Sequence, residues 1–146
     1  MSGAPELIKE LFKKYNTLYF DNELRLPRFT TYKGRRTYGV YSYKIDKKTK
    51  KLKNERFAIA NNVNWSEDTL RDMIVHEMIH CYIAQKNIKD NRDHGKVFKQ
   101  MMNDYNRHYG LNITVKIDNK QLPFTDQKPR KSLIQKLIKY LKKIMS

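Results

Sequence analysis

The chain has 146 residues, a length that suits one hydrophobic core, and its 39% hydrophobic and 12% aromatic content excludes a wholly disordered polypeptide. No run approaches the roughly 18 apolar residues of a spanning helix, and the opening MSGAPELIKELFKK lacks the apolar stretch of a secretory signal, so an intracellular protein (cytoplasm, or nucleoid or nucleus) is expected. One cysteine, Cys81, rules out an intrachain disulfide and a zinc ribbon, while 31 Lys and Arg against 15 Asp and Glu give a net charge of +16 that favours polyanionic partners.

In chain order, Leu7, Leu11, Phe12, Tyr15, Leu18 and Tyr19 recur at helical spacing behind Pro5, predicting an amphipathic helix over residues 5–20. The segment 21–27 contains turn formers, and 29–33 reads as a short strand ending in the basic turn Lys33, Gly34, Arg35, Arg36. Alternation predicts a second strand over 38–45, and Phe, Ile and Ala enrichment a third over 56–63. Between them, residues 44–53 hold six lysines and read as a solvated hairpin tip. Residues 66–87 give the strongest helix: Ser66 is a good N-cap, Glu67 and Asp68 suit the first turn, and apolar residues then cover nearly the whole circumference, which places the helix inside the core. After a polar break, a further helix is expected from about Asp93 to Tyr109, closed by Gly110. A short strand at 112–117, a linker at 117–130 containing Pro123 and Pro129, and a basic amphipathic helix over 131–146 complete the reading, with docking of that helix on its own domain as the expected use. Charge follows the same division: residues 1–65 carry +9, 66–112 are neutral, and 113–146 carry +7.

The buried helix contains His76, Glu77, Met78, Ile79 and His80. Two histidines four residues apart lie about 40° apart around a helix and about 6 Å along it, so both rings can reach one ion. Glu77, on a neighbouring face, is within reach of a water at that ion without being a ligand, which is the geometry of a general base. Two histidines and a carboxylate buried without a strong partner would cost several kcal/mol, an argument for a metal over core histidines satisfied by hydrogen bonds alone. A third ligand is required. No glutamate follows Glu77, and Ile83 and Lys86 stand where a metzincin has Gly and His. Of His94, His108, Asp90, Asp93 and Asp104, the choice is His94, because the turn at 87–92 lets the chain reverse and Gly95 leaves room near the metal. His108 falls about 21 Å further along its helix and reads as a surface residue.

The run HEMIHCYIAQKNIKDNRDHGKVFKQMMNDYN (76–106), with HExxH, a short turn and HGxxF, resembles the SprT-like zinc metalloprotease family, the protease domain of Spartan and bacterial SprT proteins. The likeness extends upstream through LFKKYNTLYFDNEL, GVYSYKI and FAIANNVNWSEDTLRDMIVHE, over about 5–116. It implies a domain over 1–116 and an α+β, zincin-like minimal metalloprotease fold: a small three-stranded, mostly antiparallel sheet packed on a central HExxH helix and neighbouring helices. It further implies one Zn²⁺ held by His76, His80 and His94, with Glu77 as acid and base, acting on protein substrates, among them proteins crosslinked to DNA. Where many members carry a Cys-rich ribbon, this chain has a Lys-rich tail.

For the basic segments, Lys33, Arg35, Arg36, Lys47, Lys48, Lys50, Lys51 and Lys53, with nearby tyrosines, are the candidate contacts to DNA, single-stranded DNA preferred, since cationic grooves with stacking rings suit single strands. Two functions from different classes follow. One is a zinc endopeptidase recruited to or activated by DNA. The other is a metal-stabilised DNA-binding module without protease activity, which a fourth protein ligand would favour.

Overall fold

The computed structural model describes residues 3–125 and 133–145. Its elements are α1 (Ala4–Tyr19), β1 (Arg28–Tyr32), β2 (Gly39–Ile45), β3 (Leu52–Ala60), α2 (Glu67–Gln85), α3 (Lys96–Tyr109) and α4 (Leu133–Met145). The fold is α+β, as expected from the sequence, but its three-stranded sheet is mixed: the order is β1-β3-β2, with β3 antiparallel to β2 and parallel to β1. The expectation of a mostly antiparallel sheet is therefore corrected. Residues 33–38 do not turn β1 tightly back on itself; they carry the chain across so that β3 enters between the other two strands. Gly34 makes that crossing possible, since a Cβ there would sit 2.8 Å from the Thr37 carbonyl oxygen and 2.9 Å from the Ala60 Cβ.

β3 starts earlier and stops earlier than its apolar run suggests. The turn proper is only 46–51, closed by Lys50 N–H donating to Asp46 O and Asp46 N–H to Lys51 O, which leaves Lys44 and Lys53 paired inside the strands. Pairing steps two residues on β2 (Ser42 to Lys44) against three on β3 (Arg56 to Lys53), so Asn54, at φ 54°, is a bulged residue that bends the arm. At the other end Val63 leaves the sheet and bridges to Phe124.

The core is apolar and continuous. Ile8, Leu11 and Phe12 of α1 pack on Phe57 and Ile59 of β3, with Phe12 edge-on to Phe57 at 5.2 Å, and α2 lies against the same layer through Leu70, Ile74, Met78 and Cys81. Ser66 caps α2 in a reciprocal box with Thr69. α4 docks across α1 with Leu133, Leu137, Tyr140 and Leu141 buried, while the Lys136 ammonium donates to Trp65 O at 2.7 Å and Asn64 Oδ1 at 2.6 Å. The segment expected as a strand at 112–117 is irregular, held by Asn106, whose amide pairs with both backbone groups of Ile113. Residues 118–125 are pinned to the domain: Tyr38 Oη donates to Leu122 O at 2.6 Å, Thr125 N–H to Asn62 O, and Phe124 stacks on Tyr38. Residues 126–132, within the expected linker and the start of the expected terminal helix, and the side chains of residues 144–146 lie outside the described residues. Among the described residues no helix is long and apolar enough to cross a membrane.

Candidate metal centre

His76 and His80 project from one face of α2, one helical turn apart, and the chain then turns at 86–95 to bring His94 opposite them. The His94 Nε2 lies 3.2 Å from His80 Nε2 and 3.2 Å from His76 Nε2. These three histidines form the group among the described residues whose ligand atoms all fall within 4.8 Å of one another. His108 is exposed near the end of α3 and is not in that group. His94 sits in the turn before α3, whose first helical residue is Lys96, rather than opening the helix itself.

The outer ring nitrogens fix what the inner ones offer. His76 Nδ1 is 2.9 Å from Thr114 O, an acceptor only, so Nδ1 carries the proton and Nε2 presents a lone pair. The Asp93 carboxylate lies against the other two rings, 3.7 Å from His80 Nδ1 and 3.6 Å from His94 Nδ1, favouring the same tautomer in both. Asp93 thus backs two of the three rings from outside the cluster. Burial, reinforced for His76 by the neighbouring His80, pushes His76 and His80 down to about 4, so near neutral pH both rings are uncharged and present lone pairs to the space that they share with His94 Nε2. The donor set fits a divalent metal ion held by three imidazoles.

The ring of Phe98, fully buried, lies beneath all three histidines, with centroids 4.9, 4.5 and 4.8 Å from His76, His80 and His94. It is the last residue of the HGxxF run, and its spacing from His94 was the available signal for that role. Asp90 sets the turn: its carboxylate accepts from the Val97 and Phe98 backbone N–H groups, capping α3 just beyond His94. A Cβ at Gly95 would run into that carboxylate and the Asn91 amide. The glycine makes room for the cap, which corrects the reading that it makes room for the metal.

Glu77 points from α2 toward the edge of the sheet, with Oε1 3.9 Å from His76 Nε2. Burial pushes its carboxyl up to about 8, opposed by a hydrogen bond from the Tyr41 backbone. Gly39 admits it: a Cβ there would sit 3.1 Å from Glu77 Cγ and 2.9 Å from Met73 Sδ. Tyr41 is itself anchored, its hydroxyl donating to Glu55 Oε1 at 2.6 Å.

These groups line a cleft of about 1220 Å³ between β2 on one side and residues 115–119 on the other. Arg35 and Arg36 lie on its wall, as do Lys89, Arg92 and Lys116, which sequence reading did not single out. Lys33 is exposed on the same loop, whereas Lys47, Lys48, Lys50, Lys51 and Lys53 are exposed at the far end of the hairpin, about 20 Å along the strand from Gly39. The structure thus separates the candidate nucleic-acid residues into a set at the cleft and a set remote from it.

A model of the SprT-like family matches residues 8–117, three quarters of the chain. No curated protein and no solved structure matches it.

Proposed function

Because the chain belongs to the SprT-like family, we propose that it is a zinc-dependent endopeptidase of zincin-like architecture, acting on proteins bound or crosslinked to DNA. The observation that carries this reading is the meeting of three imidazoles beside a buried carboxylate, in a cleft of about 1220 Å³. His76, His80 and His94 would hold the ion. When bound, zinc supplies Lewis acidity, bringing the pKa of water at the site to about 7 and polarising a carbonyl oxygen.

The chain's own groups do the rest. Glu77 takes the proton of the attacking water on its carboxylate and returns it to the leaving amine nitrogen. Its raised proton affinity suits that exchange, and the Tyr41 backbone beside it favours the charged form. Tyr38 O accepts from Ala60 N–H, so along this part of β2 the even-numbered residues bond to β3, while the main-chain groups of Gly39 and Tyr41 face away from it. These groups offer an edge against which an extended substrate can lie.

The basic residues support a role for DNA by charge. Arg35, Arg36 and Lys33 would hold a polyanion close to the cleft, and Lys47, Lys48, Lys50, Lys51 and Lys53 would reach it at a distance. The test compares wild type with Glu77→Gln on an unfolded protein and on a DNA-crosslinked protein, with and without single-stranded DNA, measuring metal content in parallel. Wild type is expected to cleave; Glu77→Gln should keep its metal and lose at least about 100-fold in rate. Equal cleavage by both would remove Glu77 from the chemistry.

A further inference from the structure

Resting on the hydrolase reading, we propose that Tyr43, Ile83, Ala84 and Ile88 form an apolar subsite that selects substrates with a large aliphatic or aromatic side chain within two residues of the scissile bond. Ile83 and Ala84 stand three and four positions after His80, on the helix face that carries the ligands and one turn, about 5 Å, further along. The end of α2 then folds back. Asn87, at φ 54°, donates its N–H to Ala84 O, and Ile88 N–H donates to Ile83 O at 3.0 Å, the pair of bonds that returns the chain over the last helical turn. Ile88 is thereby brought to the same cleft wall as Ile83. Across from them Tyr43 follows Tyr41 on one face of β2, their rings 5.7 Å apart, and remains 45% exposed although it lines the cleft.

The occupant is a peptide side chain because of what lies next to the subsite. Gly39 and Tyr41 turn main-chain groups toward the cleft, and a chain paired there repeats its side chains on one face about every 6.6 Å. The step from His80 to Ala84 along the helix is about 6 Å. A residue two positions from the one at the metal centre therefore meets the apolar wall, while Lys89 and Arg92 at its margin leave no apolar continuation for a larger greasy surface.

The test uses peptides identical but for Leu, Ala or Asp placed in turn at the positions flanking one cleavable bond. Two readouts are taken: the Leu-to-Ala ratio of kcat/KM for the zinc-loaded chain, and fluorescence-anisotropy binding of the same peptides to the Glu77→Gln chain. The ratio is expected to favour Leu at one position by about tenfold in wild type and to fall toward one in Tyr43→Ala. Ala84→Leu, which fills the subsite with a good helix former and so keeps α2 intact, should erase the preference in the same way. Cleavage without any preference, or a preference that survives both substitutions, would overturn the subsite and leave the hydrolase reading standing. Binding that favours Leu and depends on Tyr43, with no peptide cleaved, would support the subsite and remove the hydrolase reading. Failure of every peptide to bind or be cleaved overturns both.

Discussion

His76 and Glu77 are adjacent in the chain and buried to the same degree, yet burial moves them in opposite directions, because it disfavours a cation in one and an anion in the other. This predicts an unusual pH profile for the metal-free protein. His76 and His80 have folded values of about 4 against an ordinary 6.5, so the unfolded chain binds more protons in that window and stability is lost as pH falls from about 6.5 to about 4. Glu77, at about 8 against 4.5, binds its proton more tightly when folded, so its contribution is lost as pH rises from about 4.5 to about 8. Where the windows overlap, two imidazoles outweigh one carboxyl. Thermal melts of chelator-treated protein should peak near pH 6.5; a melting temperature still climbing through pH 8 would contradict these environments. At this scale the sequence was legible wherever chemistry rides on helical spacing, as with His76, Glu77 and His80. Thr114 was not legible, because it contributes a backbone carbonyl, which every residue has.

Elements place those residues, and here the turn between α2 and α3 matters most. Asp90 accepts from N–H groups at the start of α3 and thereby fixes where His94 stands. Asp90→Ala should lower the melting temperature and weaken zinc retention about tenfold, read by competition with a chelator; unchanged retention would show that His94 is positioned without the cap. On the opposite side, Gly39→Ala would place a methyl against Met73, whose thioether can swing aside, and against Glu77 Cγ, whose helix cannot. Its expected signature is a loss of about tenfold in kcat with zinc content unchanged. The sequence could show that a strand begins near Tyr38, but not that β3 inserts between β1 and β2. That choice depends on which faces α1 and α2 cover, a long-range property that alternation along one strand does not encode. Gly95 shows the same limit: its need for space was readable from its place beside His94, but not the carboxylate that fills the space.

On the scale of the molecule, charge and the terminal helix stand out. The +16 net charge comes from residues 1–65 and 113–146, while the neutral stretch 66–112 supplies the three clustered histidines; in the folded chain Arg35, Arg36 and Lys116 of the basic segments nevertheless lie on the wall of the same cleft, and the hairpin lysines stand apart from it. Single-stranded DNA binding should weaken steeply with salt, and replacing Lys47, Lys48, Lys50 and Lys51 by Gln should flatten the slope of log K against log salt by about 0.7 for each phosphate no longer neutralised; an unaltered slope would confine DNA to the cleft set. α4 was legible as an amphipathic helix because its apolar positions recur regularly, and it docks through that face. Leu137 is fully buried there, and Leu137→Ala should cost about 2 kcal/mol in chemical denaturation. A negligible cost would mean that α4 leaves the domain in solution.

A hydrolytic centre and a structural one differ in how many protein atoms hold the ion. X-ray absorption at the zinc edge on the zinc-loaded chain counts them directly. Three imidazole nitrogens at about 2.0 Å and one oxygen from water are predicted, unchanged in number for Glu77→Gln and reduced to two nitrogens for His94→Ala. Four protein donors, or a coordination shell that does not change when His94 is removed, would contradict a hydrolytic centre built on His76, His80 and His94.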